Sequence, residues 1–510
     1  MASGSDRDQL HMLARAATAY HQRRLSRRSF LRLCASVGVG FSSASMLASC
    51  GQRTPSAPTS NDLAATAGPT SASEPASDAA QFLQEAGQPF AGSTIRIVTE
   101  LTPPSQVIIG LIDEEFSRLT DIQVEWQALP LEQVLALASQ DFADEAGNHD
   151  IYYFDQAWLG RFVEHTLDPR ELTETKPDLV YPNYNLDDFI ESLLRYVASY
   201  QDRLVGLPYD IPIQMLMYRK DLFEELGLTV PTTLDDYLET VRAIHDAAIP
   251  ELSATAAMWR SGHYALQIDA SQWIWAHGGA HYGADEQAII NSEESLAALE
   301  YMRTLAEYMP PEVTSWDWSN LANAMAQKQV GMALIANEFL PSFDNPEQSQ
   351  VVGLIDVAQP PMETALRPSE DCGYDEKPGM ARQGGSCLAL SRYSRQIDPA
   401  WLFMQWATSS DVQTRASILG GGATPLRRST FNDPRVTEKK VVGPGTTRHF
   451  DVVLATIETR MGSEPHLPAW AALVEQNAIE LGKFTTGSQD SETTLANLEQ
   501  ILNEGVRSQV

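Results

Sequence analysis

The chain has 510 residues, 43% of them hydrophobic and ten of them Trp, which is material for two cores rather than one. Its formal charge of −31 excludes a nucleic-acid partner, which requires a basic footprint. The acidity is uneven: residues 1–49 hold seven Arg against two acids, so the remainder carries −36.

A basic head on an acidic body predicts a targeting segment. Within it, Ser26-Arg27-Arg28-Ser29-Phe30-Leu31-Arg32 precedes a weakly apolar run, Leu33 to Leu47, and then Leu47-Ala48-Ser49-Cys50. The run is too short and too polar to span a bilayer. The Arg pair with Phe-Leu behind it resembles a twin-arginine export signal. Leu-Ala-Ser-Cys resembles a lipobox, whose Cys is lipidated and becomes the new N-terminus. Residues 1–49 therefore read as a lipoprotein signal and Cys50 as the lipidation site. Residues 50–89 are rich in Ser, Ala, Pro and Thr and read as a disordered tether, because they bury too little to offset their ordering entropy. Cys34 leaves with the signal, so Cys372 and Cys387 remain in an exported chain. A disulfide between them is expected, closing a loop worth about 3 kcal/mol; two free thiols are the alternative.

The body opens with a strand at Thr94 to Val98. A helix capped by Ser105 runs through Ile108, Leu111, Ile112, Phe116 and Leu119. Ile122, Val124 and Trp126 alternate as a second strand, Leu131 to Phe142 is helical, and Asp150 to Phe154 is a third strand. This is βαβαβ, the opening of an α/β lobe with a parallel sheet. A helix is predicted over Asp187 to Tyr200. Val205 to Pro231 then carries two prolines in an apolar run, which a central strand rarely tolerates, and reads as a crossover between lobes. Its short helix, Leu222 to Leu226, is closed by Gly227. Thr232-Thr233 cap the next helix. Val330 to Ile335 is a buried strand, Gly384-Gly385 lead into another, and Asp398-Pro399 open a helix carrying Trp401 and Trp406.

Several stretches, in this order, carry a family likeness: Leu207-Pro208-Tyr209, Tyr218-Arg219-Lys220-Asp221-Leu222-Phe223, Gly227, Pro231-Thr232-Thr233, Val330-Gly331-Met332-Ala333, Ala400 to Trp406, and Gly422-Ala423-Thr424-Pro425. Over roughly residues 92–505 the chain resembles the extracellular solute-binding proteins of ABC importers, the family of sugar binders that includes maltose-binding protein. The resemblance implies a type II periplasmic-binding-protein fold: two α/β lobes with a ligand cleft between them. Carried over, lobe 1 is 90–208 plus 386–430 and lobe 2 is 209–385 plus 431–510. Two departures stand out: the long Glu370 to Gln383 region with its Cys, and Asn337-Glu338-Phe339, where the family commonly has a Trp. The implied function is a monomeric, lipid-anchored binding protein on the outer face of the cytoplasmic membrane. It would hand a sugar or other small polar solute to permease subunits, with no cofactor, no metal and no chemical step. The alternatives are an exported glycoside hydrolase and a binding protein serving a sensor.

Sugars are held by aromatic faces and by carboxylates or amides. Ligands of parallel sheets sit beyond the carboxyl ends of strands. The candidates are Glu100, Asp155, Trp158, Tyr209 and Asp210 from strand ends and the crossover, then Trp273, Trp275, Phe339 and Arg382. Gly384 and Gly385 permit close backbone approach, and Trp470 stands where the family often places a stacking aromatic. Asp155 and Asp210 have loop capping as their alternative. Trp401 and Trp406 are assigned to the core by their helical stripe. Tyr152-Tyr153 do not make a ferric site, since neighbours on a strand face opposite ways. GxxxxGK[ST], HExxH and GxSxG are absent from the sequence.

Overall fold

The computed structural model describes residues 77–362, 366–421 and 423–507. The signal, Cys50, the tether to residue 76 and Gly422 lie outside them. The tether ends earlier than residue 89. Ser77–Gly87 is an α-helix with Leu83 fully buried, followed by a 3-10 turn, Gln88–Phe90. Phe82 meets Tyr181 edge-on at 5.8 Å. Two adjacent large apolar residues thus suffice to dock a segment whose composition is otherwise polar.

Strands β1 (Thr94–Glu100), β2 (Gln123–Leu129) and β3 (Ile151–Asp155) are parallel, with β1 in the middle. β4 (Ser199–Tyr200) and β5 (Arg203–Leu204) form a small hairpin. β6 (Leu207–Asp210) belongs to the first sheet, and β7 (Gln214–Arg219) starts the second. β8 (Ser253–Thr255), β9 (Val330–Ala336) and β10 (Ile355–Ala358) complete the second sheet. β11 (Ala381–Arg382) pairs with β13 (Met461–Gly462), while β12 (Ser386–Leu390) returns to the first sheet.

The first sheet has the order β2-β1-β3-β12-β6, and the second β10-β7-β9-β8. β12 is antiparallel to both neighbours, so β1, β2, β3 and β6 all point the same way. Their carboxyl ends, Glu100, Asp155 and Asp210 among them, therefore open at one edge. β1 is also where the connections diverge, one to each side, which is where α/β sheets place ligands.

The crossover prediction is refined. β6 carries Tyr209 and Asp210 within the first sheet, which therefore runs to residue 210, past the expected boundary at 208. Pro208 is tolerated because β6 is an edge strand. The crossing itself is Ile211–Ile213. It is tied to the return crossing by the Ile213–Gln383 bridge and by the Gly384 amide donating to the Pro212 carbonyl at 2.7 Å. A Cβ at Gly385 would meet Gln383 Oε1 at 2.5 Å and Val197 Cγ2 at 2.6 Å, which is why glycine stands there.

Local signals give mixed outcomes. Gly227 closes Lys220–Leu226 at φ 66°, and Thr233 with Asp236 forms a full capping box. The helix after β1 is capped by Thr102 rather than Ser105, because Pro103 and Pro104 take its first positions. A π turn, Ile112–Phe116, interrupts the predicted continuous run. The helix expected over Asp187 to Tyr200 shortens to Glu191–Ala198. Asp398 lies inside Ile397–Ala407 instead of capping it, and pairs with Lys176 at 2.5 Å. Trp401 and Trp406 are fully buried, the Trp406 indole donating to Glu115 at 2.8 Å.

The expected disulfide is not formed: Cys372 and Cys387 are both free and buried. Cys387 lies in β12 of the first sheet, opposite Phe154 and Pro208. Cys372 bridges Gly283 and directs its thiol at the Pro368 carbonyl. The return crossing separates them, so closeness in sequence does not become closeness in space.

Candidate functional site

A cavity of about 120 Å³ lies where the carboxyl ends of the first sheet face the second. Glu100 ends β1, Tyr153 and Asp155 close β3, and Asp210 ends β6. Pro212 comes from the crossing and Gln214 starts β7. Glu338 and Phe339 follow the end of β9, and Tyr264 and Trp318 stand at the first positions of two helices. Arg382 and Gly384 border the return crossing.

The flank around Arg382 is densely networked, with Arg382 Nε and Glu464 Oε1 left without a partner. Its guanidinium reaches Glu464 at 3.1 Å and the Tyr264 hydroxyl, and lies 4.9 Å over the Tyr264 ring. The Tyr264 hydroxyl is 2.6 Å from Glu464 and 3.4 Å from Asp155. Asp155 also accepts from the Ala157 amide at 2.8 Å, so it caps a turn and faces the cavity at once. Burial lifts its carboxyl to about 7, against the pull of the Arg382 cation.

The opposite flank is acidic without a counter-ion. Arg382 is the only cationic residue lining the cavity among the described residues, and its charge is already matched by Glu464. Glu100 accepts from the Tyr153 hydroxyl at 3.1 Å. Burial, and then the charge of Asp210, push it up to about 8. Glu338 is raised well above the usual carboxylate range by burial, then by Asp210 and Glu100. Asp210 is 2% exposed, and burial raises it too. Neither of its carboxylate oxygens has a hydrogen-bond partner. The Thr102 hydroxyl beside it lowers it, and that hydroxyl also lies 3.1 Å from the Ser105 hydroxyl.

Of the sequence candidates, Glu100, Asp155, Asp210, Phe339, Arg382 and Gly384 are brought together here. Six others are not. Tyr209 alternates with Asp210 on β6, so it turns inward, 3.3 Å from Ser105 and edge-on to Tyr153. Trp158 packs against Phe154 and borders a separate hollow beside Leu135 and Ala471. Trp273 and Trp275 lie in the buried helix Tyr264–Ala276, bonded to Asp269 at 3.3 Å and Glu376 at 2.7 Å. Trp470 is fully buried, its indole 3.3 Å from Glu464. It supports the network from behind. Gly385 sits beneath the crossing, its amide donating to the Gln383 side chain. Tyr153, Gln214, Tyr264 and Glu338 were not among the candidates; for Trp318 the sequence leaves cleft and core evenly open, and the structure sets it at the cavity. The strand-end rule that selected Asp155 also covers Glu338, after β9. Nothing local marks Tyr264.

The model of the family described as bacterial extracellular solute-binding protein matches residues 99–414. An erythritol/L-threitol-binding protein of Mycolicibacterium smegmatis is 23% identical over 483 residues, covering 89% of this chain and 90% of that protein. A probable amino-acid ABC transporter periplasmic-binding protein of Sinorhizobium fredii is 22% identical, covering 71% and 79%. In fold, the chain matches an ABC transporter solute-binding protein of Agrobacterium radiobacter solved with ribitol. The TM-score is 0.71 at 21% identity, covering 81% of this chain and 99% of that one. Maltose-bound MalE3 of T. maritima matches at TM-score 0.69 and 21% identity, covering 80% and 99%. The two sheets, the crossings between them and the cavity at the strand ends are thus those of a type II periplasmic binding protein. With the family model spanning more than half its length, the chain belongs to the bacterial extracellular solute-binding proteins.

Proposed function

We propose that this chain is the lipid-anchored binding component of an ABC importer, monomeric, taking up a small polyhydroxylated solute and presenting it to a permease. The observation that carries the reading is a cavity lined from both lobes by carboxylates, a guanidinium and aromatic rings. Carboxylates accept from hydroxyls, Arg382 offers donors, and Phe339 and Trp318 offer apolar faces to C–H surfaces. A volume of about 120 Å³ favours a short polyol or monosaccharide over an oligosaccharide. The relatives that bind erythritol/L-threitol and ribitol are in line with this size class. Closure about Ile211–Ile213 and Gln383–Gly385 would trap the solute.

Melting of the purified protein against a panel of polyols and monosaccharides tests the reading. At least one member is expected to raise Tm in a concentration-dependent way, and no shift across the panel would overturn it. The same mixtures are expected to yield no new products, as a binding protein turns nothing over. Anchoring is tested separately: Cys50→Ala is expected to release the protein from membranes into the soluble fraction.

A further inference from the structure

Five buried polar atoms on the residues lining the cavity have no hydrogen-bond partner: Asp210 Oδ1 and Oδ2, Gln214 Oε1, Glu338 Oε2 and Arg382 Nε. Four are acceptors and one is a donor. A buried polar atom left unpaired costs about 1–3 kcal/mol, and more when charged, so an imbalance of this kind describes the partner that completes it. The acceptors cluster by sequence position on the two sides of one crossing: Asp210 just before it, Gln214 just after it, and Glu338 beyond the strand paired with β7. The lone donor belongs to the opposite, networked flank.

A neutral polyol hydroxyl brings one donor and two acceptor lone pairs, whereas an ammonium group brings three donors and no acceptor. Three carboxyls face this flank, Glu100, Asp210 and Glu338, with no basic side chain among the lining residues except the already paired Arg382. The described residues contain no group of His, Cys, Asp and Glu arranged to hold a metal ion, and an ammonium group would bring the donors that the unpaired oxygens lack. The chain's −31 charge also draws cations toward the cleft.

Resting on the polyol reading above, we infer that the solute is an aminated sugar or polyol, its ammonium seated against Asp210, Glu338 and Gln214 and its hydroxyl or ring oxygens turned toward Arg382. Burial raises all three carboxyls of this flank, and the charge of Asp210 adds to the rise at Glu100 and Glu338.

The test uses the purified protein and matched neutral and aminated solutes at neutral pH: glycerol with serinol, sorbitol with glucamine, glucose with glucosamine, galactose with galactosamine. Affinity is read by calorimetry. In the recognised pair the aminated member should bind about tenfold tighter or better, the scale of one charge-assisted contact. In Asp210→Asn and Glu338→Gln the aminated-to-neutral ratio should fall toward unity; a merely structural role would weaken both members alike and leave the ratio standing. A neutral member that binds as tightly as its aminated twin overturns this inference and leaves the polyol reading intact. Binding by no member of any pair overturns both.

Discussion

Asp210→Asn should make the ligand-free protein more stable while weakening its binding. The carboxylate is 2% exposed, both its oxygens lack donors, and its neighbours Glu100 and Glu338 are acids. Asparagine keeps the shape, removes the buried charge and adds an amide donor toward those acids. The relief corresponds to one unpaired buried group, about 1–3 kcal/mol. In a body of this size that is roughly 1–3 °C in Tm, since the entropy of unfolding scales with length. The effect has a direction in pH. Burial holds the folded carboxyl above its unfolded value near 3.8, so the folded state keeps its proton longer. The wild type therefore loses stability as pH climbs from about 4 through the raised folded value. The gain in Asp210→Asn should be largest near about pH 8 and vanish at about pH 4. Urea unfolding at both pH values, without ligand, measures it. A variant less stable than wild type at the higher pH would refute the reasoning, because the carboxylate would then be a structural partner rather than an acceptor waiting for one.

Four further outcomes follow from named contacts and backbone angles. Arg382→Met should destabilise by about 3–5 kcal/mol in chemical denaturation, because it strands Glu464, which is fully buried; a loss under 1 kcal/mol, on the order of a surface pair, would show the network to be loose. Gly385→Ala forces a Cβ to within 2.6 Å of Val197 and 2.5 Å of Gln383, with an expected loss of about 1–3 kcal/mol by overpacking, whereas Gly227→Ala acts through its φ of 66° and should lose about 1 kcal/mol. Dithiothreitol should leave Tm unchanged, as Cys372 and Cys387 are free thiols; a fall of several degrees would point to a bond between them, worth about 3 kcal/mol.

The parts of the site legible in sequence were those governed by strand direction. Glu100, Asp155 and Asp210 each end a strand of one parallel set, and that geometry follows from the βαβ pattern alone. The misreadings came where a side chain's facing depends on its partners. Tyr209 and Asp210 are neighbours in one short strand, so only one of them reaches the cavity, and the pattern Leu207-Pro208-Tyr209-Asp210 does not say which. Trp273 and Trp275 sit in a helix buried on all sides, where periodicity gives no inside face to read. The cysteine pair failed for a similar reason: separation along the chain is short, but the crossing at Gln383 to Gly385 sends the two thiols to different surroundings. Tyr264 became a site residue only through Arg382, Glu464 and Asp155, each more than 80 residues away.

The unpaired acceptors also bear on how a ligand closes the cleft. A solute that touched one lobe alone would bind the open and closed forms equally and shift nothing between them. Here Asp210 terminates a strand of the first sheet, while Gln214 and Glu338 belong to the second. The free energy of satisfying them is therefore gained only when both sheets face the same group. The networked flank behaves similarly: Asp155 comes from the first sheet, and Tyr264, which joins it to Arg382, from the second lobe. That flank is paired without a ligand except at Arg382 Nε and Glu464 Oε1, and the Tyr264–Asp155 contact links its two sides. The acidic flank is incomplete, so bringing the lobes together there confines three carboxyls without a counter-charge. Closure there carries the cost of burying and protonating those carboxyls until a donor-rich solute arrives. The differential affinity that a binding protein needs between its two states is thus built from a deficit in one flank, held in place by the surplus of contacts in the other.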